Sequence, residues 1–422
     1  MAQGRDLFVA NCGQLLTLRG PARARSGQDL SEIGLVRNGA VLIRNQTIEM
    51  VGPQARVARS SAARRAVCLD AQGKVVLPGF VDSHTHALFA GSRLEEYAAR
   101  IRGASYEEIA NAGGGIQASA KQMRSTSEAA LGDHLKQIIQ RFLEHGTTTA
   151  EIKSGYGLEL DQERKMLRVI KTVAARADCD LISTLLFHDV PARLKSARPR
   201  FIKLATQQLI PEAARRQLAA FCDVFCDRGY FSVAEANEIL SAASRAGLKL
   251  KLHAEQLVHT GAARLAASLE AVSVDHVDHV KRSDMPRLRK AGTIATLLPG
   301  SVFHLGTKTY PPARDLIDEG IPVALATNFN PGSSPTLNMQ MILSLACSYM
   351  RMSPAEAISA ATINGAYALG LGSRLGSLEP GKQADLTIMD ASDYREIPYY
   401  FGMNHCRTVI KKGKVLFSKS GR

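Results

Sequence analysis

No stretch of this 422-residue chain supplies the roughly 18 consecutive apolar residues of a membrane-spanning helix, so no membrane partner is expected. The first twenty residues lack the basic flank, long apolar segment and small-residue cleavage site of a secretory signal. Export is therefore not expected, and the cytoplasm is the default compartment. There is no CxxC pair either. The seven cysteines (Cys12, Cys68, Cys179, Cys222, Cys226, Cys347 and Cys406) are odd in number and widely scattered, which argues against a disulfide framework or a zinc knuckle and for reduced, packed thiols. What the chain does have is core material: 45% of residues are apolar, too many for a disordered chain. Its length suits one large domain with a smaller companion.

The net charge of +14 would suit a polyanion partner if it were spread over one face. It is not. Residues 1–75 hold 11 Lys/Arg against 5 Asp/Glu, and residues 407–422 hold 6 with no acid, which leaves only +2 for the 331 residues between. The long middle is nearly neutral, and no nucleic-acid partner is expected.

Both ends read as β structure. VLIRNQTIEMVG (41–52) alternates apolar and polar residues, and KVVLPGF, ADLTIMD and TVIKKGKVLF repeat short β-branched runs with glycine between them. This is the pattern of a small β domain assembled from the two termini around an inserted one. In the middle, eight apolar runs (75–82, 147–152, 181–188, 223–226, 248–253, 273–277, 293–299 and 322–327) alternate with amphipathic stretches. In one of these, 232–246, Ser232 and Glu235 form a capping box and Gly247 ends the helix; in another, 160–177, Leu167, Ile170 and Ala174 share a stripe. Eight strands with helical crossovers predict an α/β fold of the (β/α)8 barrel type. The expected division is 1–78 and 376–422 for the small domain and 79–375 for the barrel. Residues 87–146, which contain NAGGGI, are expected to form a helical excursion with an active-site loop.

A barrel keeps its reactive groups at the C-terminal ends of its strands. There the sequence places His84-Thr85-His86, His188, His253, His276 and Asn328. Side-chain direction repeats every two residues, so H-x-H puts both imidazoles on one side, about 6–7 Å apart along the strand and able to chelate one divalent ion. A third histidine from across the barrel would complete an open site. A single histidine at a strand end is ordinarily a hydrogen-bonded core residue, but five of eleven at such ends is not an ordinary distribution. The fourth run ends in Cys226-Asp227 rather than in a lysine able to bridge two metals, which favours one ion. The glycines of 113–115 lack the Lys-Ser/Thr of a phosphate loop.

GFVDSHTHALFAGSR resembles the first-strand motif of the amidohydrolase superfamily, and SLEPGKQADLTIMD resembles its return into the small β domain. More narrowly, AGGGI (112–116), EIKSGYGLELDQERKMLRVI (151–170), HAEQ (253–256) and FNPGSSPT (329–336) resemble the imidazolonepropionase family. The resemblance runs from about residue 40 to 415. It implies a metal-dependent hydrolase that opens the cyclic amide of 4-imidazolone-5-propionate to N-formimidoyl-L-glutamate in histidine degradation, and it suggests a homodimer. It implies one zinc or iron ion on His84, His86, His253 and position 328. It makes His276 the group that polarises the ring carbonyl. Arg93 would hold the carboxylate tail, with a surface pair to Glu95 or Glu96 as the plainer alternative. Tyr156, His188 and Gln256 would meet the ring, and Asn330, Gly332 and Ser333 would form a product-binding loop, with Gly332 there for close backbone approach.

One position departs from the pattern. The family has Asp at the end of the eighth strand, and this chain has Asn328. An amide presents an oxygen to an ion but brings no charge and takes up no proton. Three accounts follow: another group, such as Glu255 or a histidine, serves as base; the enzyme is weakened or inactive; or the residue was changed deliberately. Another cyclic-amide hydrolase or aminohydrolase of the superfamily is the alternative activity.

Overall fold

The computed structural model of the chain describes residues 6–104, 108 and 113–419. The N-terminal segment forms strands β1 (Leu7–Leu16), β2 (Leu35–Arg44), β3 (Thr47–Pro53), β4 (Val67–Asp70) and β5 (Val75–Pro78). The middle supplies β6 (Phe80–Asp82), β7 (Thr147–Lys153), β8 (Asp180–Phe187), β9 (Phe221–Cys226), β10 (Lys249–Ala254), β11 (Ser273–His276), β12 (Ile294–Leu297) and β13 (Val323–Leu325). The C-terminal segment adds β14 (Leu386–Met389), β15 (Cys406–Lys411) and β16 (Lys414–Ser418).

The two ends of the chain share one sheet, ordered β16-β15-β14-β5-β1-β2-β3 with β4 also on β1. They meet where β5 and β14 pair antiparallel, Leu77 opposite Thr387. The run 41–52 is not one strand, as its alternation suggests. Asn45 and Gln46, at φ 47° and 72°, make a two-residue turn of the kind that matches strand twist, and the run divides between β2 and β3.

The run 75–82 also divides, at Gly79. Its first half joins the terminal sheet and its second half opens the barrel. A Cβ at Gly79 would lie 2.3 Å from the Thr148 side chain, so only glycine lets the chain pass at this crossing.

Strands β6 to β13 are parallel neighbours in sequence order. The barrel closes just beyond the ends of β6 and β13: Asn328 N donates to the His84 carbonyl at 3.0 Å, and His86 N donates to the Phe329 carbonyl at 2.9 Å. Closure thus sets the H-x-H pair beside Asn328. Helices cover the outside. Val233–Arg245 starts with the complete Ser232–Glu235 capping box, and Leu160–Ala174 buries Met166, Leu167, Ile170 and Val173 at helical spacing. The 87–146 excursion holds helices Leu94–Ile101, Ile116–Ser125 and Glu128–Glu144, while Asn111 and Ala112 of its NAGGGI segment lie outside the described residues. Among the described residues, no helix is long and apolar enough to cross a membrane.

Candidate active site

Strand ends at one mouth of the barrel bring His84, His86, His253 and His276 together, all buried. His86 Nε2 lies 3.3 Å from His84 Nε2 and 3.4 Å from His253 Nε2. Three ring nitrogens that face one another need a proton or an ion between them. With metal–nitrogen bonds of about 2.0–2.1 Å, a tetrahedral site has edges of about 3.4 Å, which these distances match. Burial, then the neighbouring positive groups, pushes all three imidazoles well below the usual histidine range, so they are neutral with lone pairs to give. His84 Nδ1 bonds Asp275 Oδ2 at 2.6 Å, which keeps its Nε2 free of a proton, and Asp223 Oδ2 lies 2.9 Å from His253 Nδ1.

Beneath these rings is an ion network that the motif reading did not single out. Lys153 Nζ is 2.6 Å from Asp223, 3.0 Å from Glu151 and 3.5 Å from Asp275; Lys251 Nζ is 2.9 Å from Glu151 and donates to the Ser83 carbonyl at 2.8 Å. All five side chains are fully buried. Burial alone would lower the Lys153 pKa, but the three carboxylates more than reverse it. A signal was present in the sequence: Glu151 and Lys153 in β7, Lys251 and His253 in β10, and Ser273 and Asp275 in β11 are spaced by two, as inward-facing barrel positions must be.

Asn328 Nδ2 donates to Ser301 Oγ at 2.6 Å, and this leaves the buried Oδ1 without a hydrogen-bond partner. An orphaned buried acceptor beside three neutral imidazoles fits a neutral fourth neighbour of a cation. His276 stands 5.7 Å from the His84 ring and 5.5 Å from that of His253, centre to centre, with its pKa pushed down to about 3, chiefly by burial. The backbone is strained here: His276, Val277 and Asn328 have φ of 77°, 54° and 51°, a region a β-branched residue rarely enters. Glu255, the other candidate base, accepts from Gly261 N and Ala263 N through Oε1 at the next helix start, while its buried Oε2 has no hydrogen-bond partner.

On the substrate side, the Tyr156 ring lies 5.7 Å from His86 and 6.1 Å from His188. Burial raises the Tyr156 pKa and lowers that of His188 to about 4, and the Arg93 charge acts on both. Arg93 also pairs with Glu96, so the plainer alternative is realised, though in a largely buried setting. A Cβ on Gly332 would fall 2.2 Å from Arg93 Nη1, so glycine at 332 makes room for the guanidinium. The Asn330 side chain staples its own loop: Oδ1 accepts from Gly332 N at 2.8 Å and Ser333 N at 2.7 Å, while Nδ2 donates to the Asn328 carbonyl and to Ser333 Oγ. Gln256 is half-buried on the turn leaving β10.

The sequence profile of the Amidohydrolase family matches residues 75–416. The imidazolonepropionase of Geobacillus kaustophilus is 47% identical over 98% of both chains, and that of Solibacter usitatus is 44% identical over 98% of this chain and 99% of its own. The chain belongs to the imidazolonepropionase family of amidohydrolases. Amidohydrolases are metal-dependent, and His84, His253 and His276 bring ligand atoms within 4.8 Å of one another. Solved structures share the fold at low identity. An adenosine deaminase from Xanthomonas campestris with bound zinc superposes with a TM-score of 0.71 (18% identity, 98% of this chain and 93% of that one). The Aspergillus niger ochratoxinase also gives 0.71 (18% identity, 99% and 96%).

Proposed function

We propose that this chain hydrolyses 4-imidazolone-5-propionate to N-formimidoyl-L-glutamate, a step of histidine degradation, using one divalent ion, zinc or iron, on His84, His86 and His253 with Asn328 as a neutral fourth neighbour. The observation that carries this reading is His86 Nε2 at 3.3 Å from His84 Nε2 and 3.4 Å from His253 Nε2, both tetrahedral edge lengths, in a chain 47% identical to a named imidazolonepropionase. A divalent ion in such a site acts as a Lewis acid and makes water a nucleophile at neutral pH.

The protein's own part is placement and charge. Arg93 offers a planar fork for the propionate, with Gly332 leaving space beside it. Tyr156, kept as the phenol by burial, and His188 bound the ring. His276 is neutral across the physiological range and can hydrogen-bond the ring carbonyl oxygen as charge develops there. Gln256, Asn330 and Ser333 complete the proposed substrate contacts. The reading includes a cytoplasmic homodimer with no nucleic-acid or membrane partner, supported by the family resemblance and by a charge excess confined to the chain ends.

The test is incubation of purified protein with imidazolone propionate, with and without zinc or iron(II), following product by NMR, with hydantoins and guanine as controls lacking the carboxylate tail. Metal-dependent formation of formimidoyl-glutamate alone is expected. No loss of substrate in the parent or in Asn328→Asp would overturn the reading. Binding without turnover in the parent, cured by Asn328→Asp, would instead mark a weakened relative, a second reading that rests on the missing carboxylate.

A further inference from the structure

A carboxylate in the first turn of a helix is ordinarily solvated and favoured by the helix dipole. Glu163, in the first turn of Leu160–Ala174, is only 3% exposed. Burying a carboxylate is costly unless its lone pairs are met, so the groups that meet them show what the burial serves. Here they all come from one loop. Gly155 N donates to Oε2 at 2.7 Å and Leu158 N donates to Oε1 at 2.7 Å.

The loop 154–158 is held from its other side as well. Ser154 N donates to the Thr184 carbonyl at 2.9 Å, and Ser154 Oγ accepts from Leu186 N at 3.2 Å, which ties the loop to β8. Its backbone is tightly constrained: Leu158 is held at φ 59°, a left-handed conformation costly for a side chain, Gly155 takes φ 105°, and a Cβ on Gly157 would lie 2.6 Å from the backbone of Gln162 and Glu163, so glycine is needed at both 155 and 157. A strained segment, packed against a buried carboxylate, persists only where the surroundings over-determine it, and such segments gather at functional sites. This one carries Tyr156, whose ring stacks toward His86 at 30° and faces His188.

We propose that Glu163 is a positioning residue that fixes the 154–158 loop, and with it the Tyr156 ring, over the histidine cluster, and so sets how tightly the substrate ring is held. The proposal rests on the function proposed above. Glu163 is bonded to the loop amides, and it works through Tyr156. Both carboxylate oxygens accept, so a glutamine at this position keeps one acceptor and turns an NH2 toward the other amide, and alanine keeps none.

The experiment uses the metal-loaded full chain with Glu163→Gln, Glu163→Ala, Tyr156→Phe and the Glu163→Ala/Tyr156→Phe double variant, each checked for metal content and thermal melting. Expected are unchanged metal content, a KM for imidazolone propionate raised by about tenfold in Glu163→Ala with kcat within about threefold, and an intermediate KM in Glu163→Gln. Tyr156→Phe should cost less in the Glu163→Ala background than in the parent, because the hydroxyl is already misplaced there. Equal KM in parent and Glu163→Ala, or strictly additive effects, would overturn the proposal. Should the parent itself fail to turn over with either metal, the functional reading fails on its own, and the proposal is then read from amide hydrogen exchange. Faster exchange in Glu163→Ala confined to 154–158 supports it, and exchange unchanged there overturns it.

Discussion

Asn328 points its carbonyl oxygen away from Ser301 because its amide nitrogen is committed to that hydroxyl, and this orientation is what the proposed role of a neutral side chain requires where the family resemblance implies a carboxylate. The sequence showed the substitution but not its orientation, since Ser301 lies 27 residues away in the chain and nothing in local spacing pairs the two. Gly332 was legible as a site of close approach, but that the approaching group is Arg93 follows only from the fold. Gly332→Ala should push the guanidinium aside, which a flexible side chain allows, so that the fold survives while KM for the carboxylate substrate rises about tenfold with kcat little changed. Steady-state kinetics on imidazolone propionate checks this, and an unchanged KM would remove Arg93 from the carboxylate site. His188 gives a pH signature. Its pKa falls from 6.5 to about 4 on folding, so between those values the unfolded chain binds the proton and the native one does not. Stability is therefore lost as pH falls from 6.5 toward 4, by an amount on the order of 3 kcal/mol for this group. Thermal melts across that window should fall less steeply in His188→Asn than in the parent.

Individual elements were legible where they obey one periodicity. The capping box at Ser232 and the apolar stripe of Leu160–Ala174 are local rules; the box appears as read, and the stripe keeps Leu167 and Ile170 but ends on buried Val173 rather than on half-buried Ala174. The runs 41–52 and 75–82 were not, because a pair of positive-φ residues in one and a glycine crossing in the other cut segments whose composition is uniform. The buried ions were missed for a related reason: charge within a β run looks like solvent exposure unless the barrel interior is counted as a face. Lys153 holds three carboxylates together there, two of which touch His84 and His253 through their Nδ1 atoms. Lys153→Met removes the ammonium from all three carboxylates, of which Glu151 keeps its pair with Lys251, and breaking a buried pair in this way costs about 3–5 kcal/mol. The expected outcome is a lower denaturation midpoint together with reduced metal content, and a midpoint equal to the parent's would contradict the network's role.

At the scale of the molecule, part of the basic surplus of the C-terminal segment has a partner in the barrel. Asp180, at the start of β8, accepts from Lys411 Nζ at 2.9 Å and Lys412 Nζ at 2.8 Å, and the nearly buried Lys411 also reaches Asp385 at 2.7 Å. Part of the charge that composition offered to an outside polyanion thus ties the terminal sheet to the barrel. Asp180→Asn should loosen that tie by about 1–3 kcal/mol, seen as a lower melting temperature with KM unchanged. The central claim, that this barrel mouth holds one ion and opens a cyclic amide, is tested most directly by adding zinc or iron(II) stepwise to metal-depleted protein while following imidazolone propionate. The account predicts activity that rises to a plateau at one ion per chain; no substrate loss at any loading, in the parent and in Asn328→Asp alike, would contradict it.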